Sequence, residues 1–243
     1  MNQKELLSII IPVFNEANTV DTLLQKVIET QLSIDKEIII IESNSTDGTK
    51  EIIREYENKD GIQVYYQPKP QGKGNALKLG FQKAKGSIIL IQDGDLEYDP
   101  GNYQDLLNPI LKGDVDFILG SRHLEMGTHK FRKFEKEKIF ARVLNLGQLV
   151  FTTLFNVLYQ VKLTDPATMF KVFRRSCIKD IDFKANYFDL DWEIVAKLIR
   201  KGFVPIEIPV DYQSRSAAEG KKIKFFRDGT TVLLAILRFR FFN

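Results

Sequence analysis

Asp93-Gly94-Asp95-Leu96-Glu97 follows directly on a short apolar run at 88–92. Two aspartates one residue apart at the end of a strand can share a hard divalent cation, and Gly94 lets a ligand approach the backbone closely. An acidic turn after a strand is often only solvated, so the cluster draws its meaning from its company. Pro12-Val13-Phe14-Asn15-Glu16 closes an earlier apolar run, and Glu42-Ser43-Asn44-Ser45-Thr46-Asp47-Gly48-Thr49 closes the next. Gln71-Gly72-Lys73-Gly74-Asn75-Ala76 combines pliable backbone, a cation and the start of a helical pattern, a set that favours an anionic ligand. Further on, Asp189-Leu190-Asp191-Trp192-Glu193 places three carboxylates at a helix start. They are general-base candidates, or simply charges that complement the helix dipole. His123 and His129 are the only histidines, so no histidine-rich metal set can be assembled.

These loops need a scaffold that gathers them. Strands are expected at 7–13, 37–41, 62–66, 88–92 and 117–119, each short and rich in β-branched residues. Helical spacing of apolar residues marks 19–31, with Asn18 as its cap, then 49–56 and 75–84. The alternation predicts an α/β domain with a mainly parallel sheet flanked by helices. In such sheets ligands collect at the carboxyl edge, which is where the polar loops fall.

The 243 residues, 44% hydrophobic, suffice for one substantial core, and nothing resembling a linker or repeat divides them. A net charge of +3 with both signs mixed excludes a general nucleic-acid-binding surface. The lone Cys177 reads as a buried small hydrophobe in a reducing compartment, and the N-terminus lacks the pattern of a secretory leader. The charged segment 122–138 has no clear period and reads as a loop. An uncharged stretch at 143–161 is interrupted by Asn145, Gln148, Thr152, Thr153, Asn156 and Gln160. It suits a core helix pair or an interfacial helix, and not a membrane span. At 230–242 apolar and aromatic residues surround Arg238 and Arg240, a pattern suited to anionic headgroups.

Taken in order, these motifs resemble the inverting family 2 glycosyltransferases with the GT-A fold, especially the dolichyl-phosphate mannose synthase-like, polyprenyl-phosphate branch. The resemblance also includes Gly120-Ser121-Arg122, the segment from Thr164-Asp165 to Phe173, and Glu219-Gly220-Lys221-Lys222-Ile223. It implies a single GT-A domain with a nucleotide-sugar half at 1–121, an acceptor half at 122–229 and an amphipathic tail at 230–243. By the same resemblance Pro12, Phe14, Glu16, Glu42 and Ser43 cradle the nucleotide, Asp47 supports that loop, and Lys73 lies near the phosphates. Asp93 and Asp95, flanking Gly94, would hold Mg²⁺ or Mn²⁺, with Glu97 as a third ligand. Many relatives have two aspartates where this chain has Glu42-Ser43. Uridine diphosphate is the favoured carrier, with GDP-mannose the other donor.

On the acceptor side the resemblance places Arg122, Arg132, Asp165, Arg215, Lys221 and Lys222 near a polyprenyl phosphate. Asp95, Arg122, Arg215 and Glu193 are the residues expected to carry catalysis. Trp192 lines the sugar pocket or anchors the packing, and Met169 stands where relatives often have glycine. The expected setting is the cytosolic face of a membrane in envelope glycan synthesis, with attachment at the membrane surface, directly or through a membrane subunit, or as a homo-oligomer. A hydroxyl acceptor and a non-catalytic nucleotide-sugar-binding scaffold are the competing readings.

Overall fold

A computed structural model describes residues 4–124, 138–215 and 225–242, with side chains throughout except at 138–144 and 225–228. In chain order the elements are β1 (Leu6–Val13), α1 (Val20–Glu29), β2 (Asp35–Glu42), α2 (Thr49–Arg54), β3 (Ile62–Tyr66), α3 (Lys73–Lys83) and β4 (Ile88–Ile91). There follow α4 (Tyr103–Lys112), β5 (Phe117–Ser121), α5 (Lys138–Tyr159), β6 (Lys171–Arg174), α6 (Asp189–Arg200), β7 (Ile206–Pro209) and α7 (Phe225–Phe241).

One seven-stranded sheet in the order β3-β2-β1-β4-β6-β5-β7 runs through the described residues. Every pairing is parallel except those of β6, which runs antiparallel between β4 and β5. The centre is β1, buried from Leu7 onward and paired with β2 from Leu6↔Asp35 to Val13↔Glu42. Isoleucine runs at 9–11 and 38–41 face helices on both sides, which is why they read as continuous apolar stretches instead of alternating ones. Because β1, β2 and β4 run the same way, the loops at 14–19, 43–48 and 92–97 emerge along one edge.

Two expectations change at the helices. Thr19, not Asn18, occupies the N-cap position of α1, and its hydroxyl reaches the Glu16 carbonyl at 3.3 Å and the Glu16 carboxylate at 3.2 Å. The uncharged stretch at 143–161 belongs mostly to one helix, α5, which packs on α6 and α7. Trp192 of α6 is buried against Phe151 and Phe155 of α5, so it anchors this packing. Two side chains tie α7 down: the Tyr159 hydroxyl donates to the Ile236 carbonyl at 3.0 Å, and Arg200 donates to the Phe239 carbonyl at 2.7 Å. Among the described residues no helix is long and apolar enough to cross a membrane.

Candidate active site

The loops after β1 and β2 are laced together by short polar side chains. Asn15 adopts a positive φ of 53° and accepts from the Thr46 amide at 2.9 Å, while its own amide donates to Ser45 Oγ at 2.9 Å. Asp47 accepts from the Thr49 hydroxyl at 2.6 Å and from the Ala17 amide at 3.1 Å, joining the two loops. Burial works against its charge, but these bonds together hold the Asp47 carboxyl below the usual range. Glu42 is fully buried and its carboxylate accepts from the amides of Asn44 and Ser45, at 3.0 and 2.6 Å. Ser43 donates to Gln67 at 2.9 Å, and Gln67 donates to Asn75 at 2.8 Å, linking this edge to α3. Pro12 lies within β1, while Phe14 and Glu16 are half-buried just beyond it.

The glycines before α3 serve a close approach between chains. Gly72 has φ +93°, and a Cβ on it would collide with the Asn186 carbonyl and the Tyr187 ring. A Cβ on Gly74 would come within 2.7 Å of the Asn186 backbone. The Asn75 amide donates to the Asn186 carbonyl at 3.1 Å, so protein backbone already covers one amide of this helix start. The cation of this segment, Lys73, meets the carboxylates of two other elements. Its ammonium lies 2.8 Å from Asp93 and 3.7 Å from Asp191, and touches the Met169 sulfur. Burial opposes the charge of Lys73, but Asp191 and Asp93 outweigh it and raise its pKa.

Asp93 and Asp95 emerge at the end of β4, where the Gln92 amide donates to the Ile10 carbonyl at 3.0 Å. A Cβ on Gly94 would press on the Pro12 carbonyl at 3.3 Å, so this turn lies flat against the end of β1. Arg215 reaches in from the far end of the chain. Its guanidinium bonds Asp95 and lies 2.8 Å from Glu16 and 3.6 Å from Glu97. Glu97 also accepts from the Arg215 amide at 2.9 Å and from the Tyr212 hydroxyl at 2.6 Å.

Glu97 is therefore turned toward the 212–215 segment, and the three acids do not form a ready-made ligand set. Among the described residues no three His, Cys, Asp or Glu side chains are grouped to hold a metal. The pair Asp93 and Asp95 still fits a hard cation, since both offer carboxylate oxygens and the remaining ligands can come from a diphosphate. Burial, then the negative charges of Asp93 and Glu97, push Asp95 up to about 7, with Arg215 offsetting only part of this. Such crowding of negative charge is what a divalent cation relieves.

The structure brings Arg122 and Asp165 together, but onto each other. Arg122 Nε and Nη2 each lie 2.6 Å from an Asp165 oxygen, and both side chains are buried. The guanidinium also faces the Tyr212 ring, 5.2 Å from its centroid. The amides of Thr164 and Asp165 donate to Glu207, each at 2.7 Å, which fixes the turn. The Arg122 guanidinium is thus held between Asp165 and the Tyr212 ring.

Glu193 is fully buried. Its carboxylate pairs with Lys197 at 2.7 Å and accepts from the amides of Lys184 and Ala185, both at 2.8 Å. Of the three carboxylates at the start of α6, the one that faces Lys73 is Asp191, backed by the fully buried ammonium of Lys171 at 3.3 Å. Sequence reasoning missed Lys171, Tyr212 and Glu207. Lys171 is legible as a single cation inside the apolar run Met169-Phe170-Lys171-Val172-Phe173. The expected Arg132, Lys221 and Lys222, together with His129, lie outside the described residues.

Residues 8–182 match the family model described as glycosyl transferase family 2. A dolichol-phosphate mannosyltransferase of Pyrococcus furiosus is 24% identical over 88% of this chain and 58% of its own length. A dodecaprenyl-phosphate galacturonate synthase of Rhizobium johnstonii is 27% identical over 72% of this chain and 49% of its own. The chain thus spans only about half the length of these curated relatives. Among solved structures, glucosyl-3-phosphoglycerate synthase of Mycobacterium tuberculosis in complex with Mn²⁺, UDP and phosphoglyceric acid superposes with a TM-score of 0.73. It shares 16% identity, and the match covers 98% of this chain and 80% of that one, a likeness of fold. The family match spans most of the chain, including the loops that carry Glu16, Asp47, Lys73, Asp93 and Asp95, and the protein belongs to glycosyl transferase family 2.

Proposed function

We propose that the protein transfers a hexose from a nucleotide sugar, with UDP favoured over GDP, to a polyprenyl phosphate with inversion at the anomeric carbon. The observation that carries this reading is the pair at the end of β4, half-buried Asp93 and buried Asp95, each already matched by a cation of the chain, Lys73 and Arg215. A site that balances closely spaced charges of both signs suits a diphosphate held through a divalent cation. The names of the curated relatives support a lipid phosphate as acceptor.

Asp93 and Asp95 would hold Mg²⁺ or Mn²⁺ against the donor diphosphate, and Lys73 would face its oxygens. When bound, that ion stabilises the charge growing on the leaving group. Phe14, Glu16 and the laced loops at 43–48 flank the end of β1 where the nucleoside would lie. An acceptor phosphate oxygen attacks the anomeric carbon as the bond to the diphosphate breaks, and the bonding pair leaves with the nucleoside diphosphate. The attacking oxygen is already anionic at neutral pH, so positioning and charge control suffice without a general base. The commitment of Glu193 to Lys197 and of Asp191 to two lysines agrees with this. Arg215, which bonds Asp95, would meet the acceptor phosphate.

The surface of α5 and α7 favours work beside a membrane. Leu146, Val150 and Val157 of α5 and Leu234 and Phe241 of α7, together with Phe242 beyond it, are exposed, while Arg238 and Arg240 lie at the end of α7. The reaction is tested by incubating the protein with Mn²⁺, a panel of UDP- and GDP-sugars and a short polyprenyl phosphate. A β-linked sugar phosphate from an α-linked donor is expected by NMR. Transfer to hydroxyl acceptors alone would overturn the lipid-phosphate reading.

A further inference from the structure

Arg215 bridges the loop after β1 and the loop after β4. Its Nη1 is 2.8 Å from Glu16, its Nη2 bonds Asp95 Oδ2 and lies 3.5 Å from the second Glu16 oxygen, and its Nε faces Glu97 at 3.6 Å. One singly charged group therefore spans three carboxylates from two loops. Burial opposes its charge, yet the bond to Glu16 and the charge of Asp95 raise its pKa further, so it stays a cation throughout.

Its main chain is held separately from its side chain. The Arg215 amide donates to Glu97 at 2.9 Å, the Gln213 amide donates to the Glu97 carbonyl at 2.8 Å, and Tyr98 and Tyr212 form an antiparallel bridge. The guanidinium can thus leave its carboxylates by side-chain rotation alone, without unstitching this segment. A divalent cation on Asp95 and the guanidinium on the same carboxylate would repel at close range. Lys73 differs, because Asp191 holds it from a second side while it touches Asp93.

We propose that Arg215 is a resident counter-cation: it neutralises Glu16 and Asp95 while the donor is absent and is displaced by the incoming divalent cation. Displacement frees the guanidinium for an acceptor anion, so the acceptor's arginine becomes available only after metal and donor have bound. This rests on the reading above, that Asp93 and Asp95 take a divalent cation.

The test is Mn²⁺ titration of the intact protein, followed by electron paramagnetic resonance at pH 8, with and without UDP. Arg215→Met is expected to bind Mn²⁺ alone at least about tenfold tighter than wild type, since charge-assisted bonds that compete for the carboxylates are gone. Arg215→Lys keeps the charge but cannot fork between Glu16 and Asp95, so it falls between the two and still reports if the methionine variant folds poorly. Wild type that binds Mn²⁺ with UDP, beside variants that bind Mn²⁺ alone no tighter than wild type, overturns the counter-cation role and leaves the metal reading intact. Absence of Mn²⁺ binding by wild type even with UDP overturns both.

Discussion

Asp165 and Arg122 show how far a side chain's role depends on its partner. Removing the carboxylate strands a buried guanidinium that cannot shed its proton, so Asp165→Ala should destabilise the fold by about 3–5 kcal/mol. Urea denaturation of wild type and variant measures this, and a loss below about 1 kcal/mol would mean that the pair is not buried as described. The family resemblance assigns Arg122, Asp165, Asp93, Asp95 and Arg215 to one site, and the structure sets Arg215 on Asp95 and Arg122 between Asp165 and the Tyr212 ring. The sequence could not show that Arg122 would face Asp165, or that Arg215 would lie on Asp95 and Glu16, because pairing is set by tertiary geometry. Glu193 illustrates the same limit: a carboxylate at a helix start reads alike whether it faces a crevice or two backbone amides.

At the level of elements, the start of α3 depends on the space that its glycines leave for Asn186 and Leu190. Gly74→Ala should cost about 1–3 kcal/mol through overpacking against backbone that cannot yield easily. It should also impair donor use by shifting Lys73; unchanged stability and unchanged donor KM would contradict the tight approach. The strands β1 to β5 were legible because apolar β-branched runs of this length have few alternatives. The four-residue strands β6 and β7 were not, since Lys171–Arg174 and Ile206–Pro209 are too short and mixed to show a period. Helix α4 carries a readable signal: Tyr103, Leu106, Leu107 and Ile110 share one face and Gly113 closes the helix in the left-handed conformation.

Across the whole molecule, one edge of the sheet gathers acids and cations, while α5 and α7 present exposed apolar side chains. The protein should float with anionic vesicles at low salt, and double substitution of Leu234 and Phe242 by glutamate should reduce flotation several-fold. Equal recovery of wild type and variant in the vesicle fraction would remove these side chains from the membrane account. The alternating β/α order made the sheet and its functional edge legible from sequence, whereas the stitching of 212–215 to 97–98 joins residues too distant along the chain to be inferred. That long-range closure is what completes the site around Asp95.

The most direct test of the central claim is nucleoside diphosphate release from the preferred nucleotide sugar, measured with Mn²⁺ and a short polyprenyl phosphate for wild type and Asp95→Asn. Release by wild type that requires both metal and lipid, and that falls at least about a hundredfold in the variant, is the predicted result. Release undiminished in Asp95→Asn, or equally fast without metal, would contradict it.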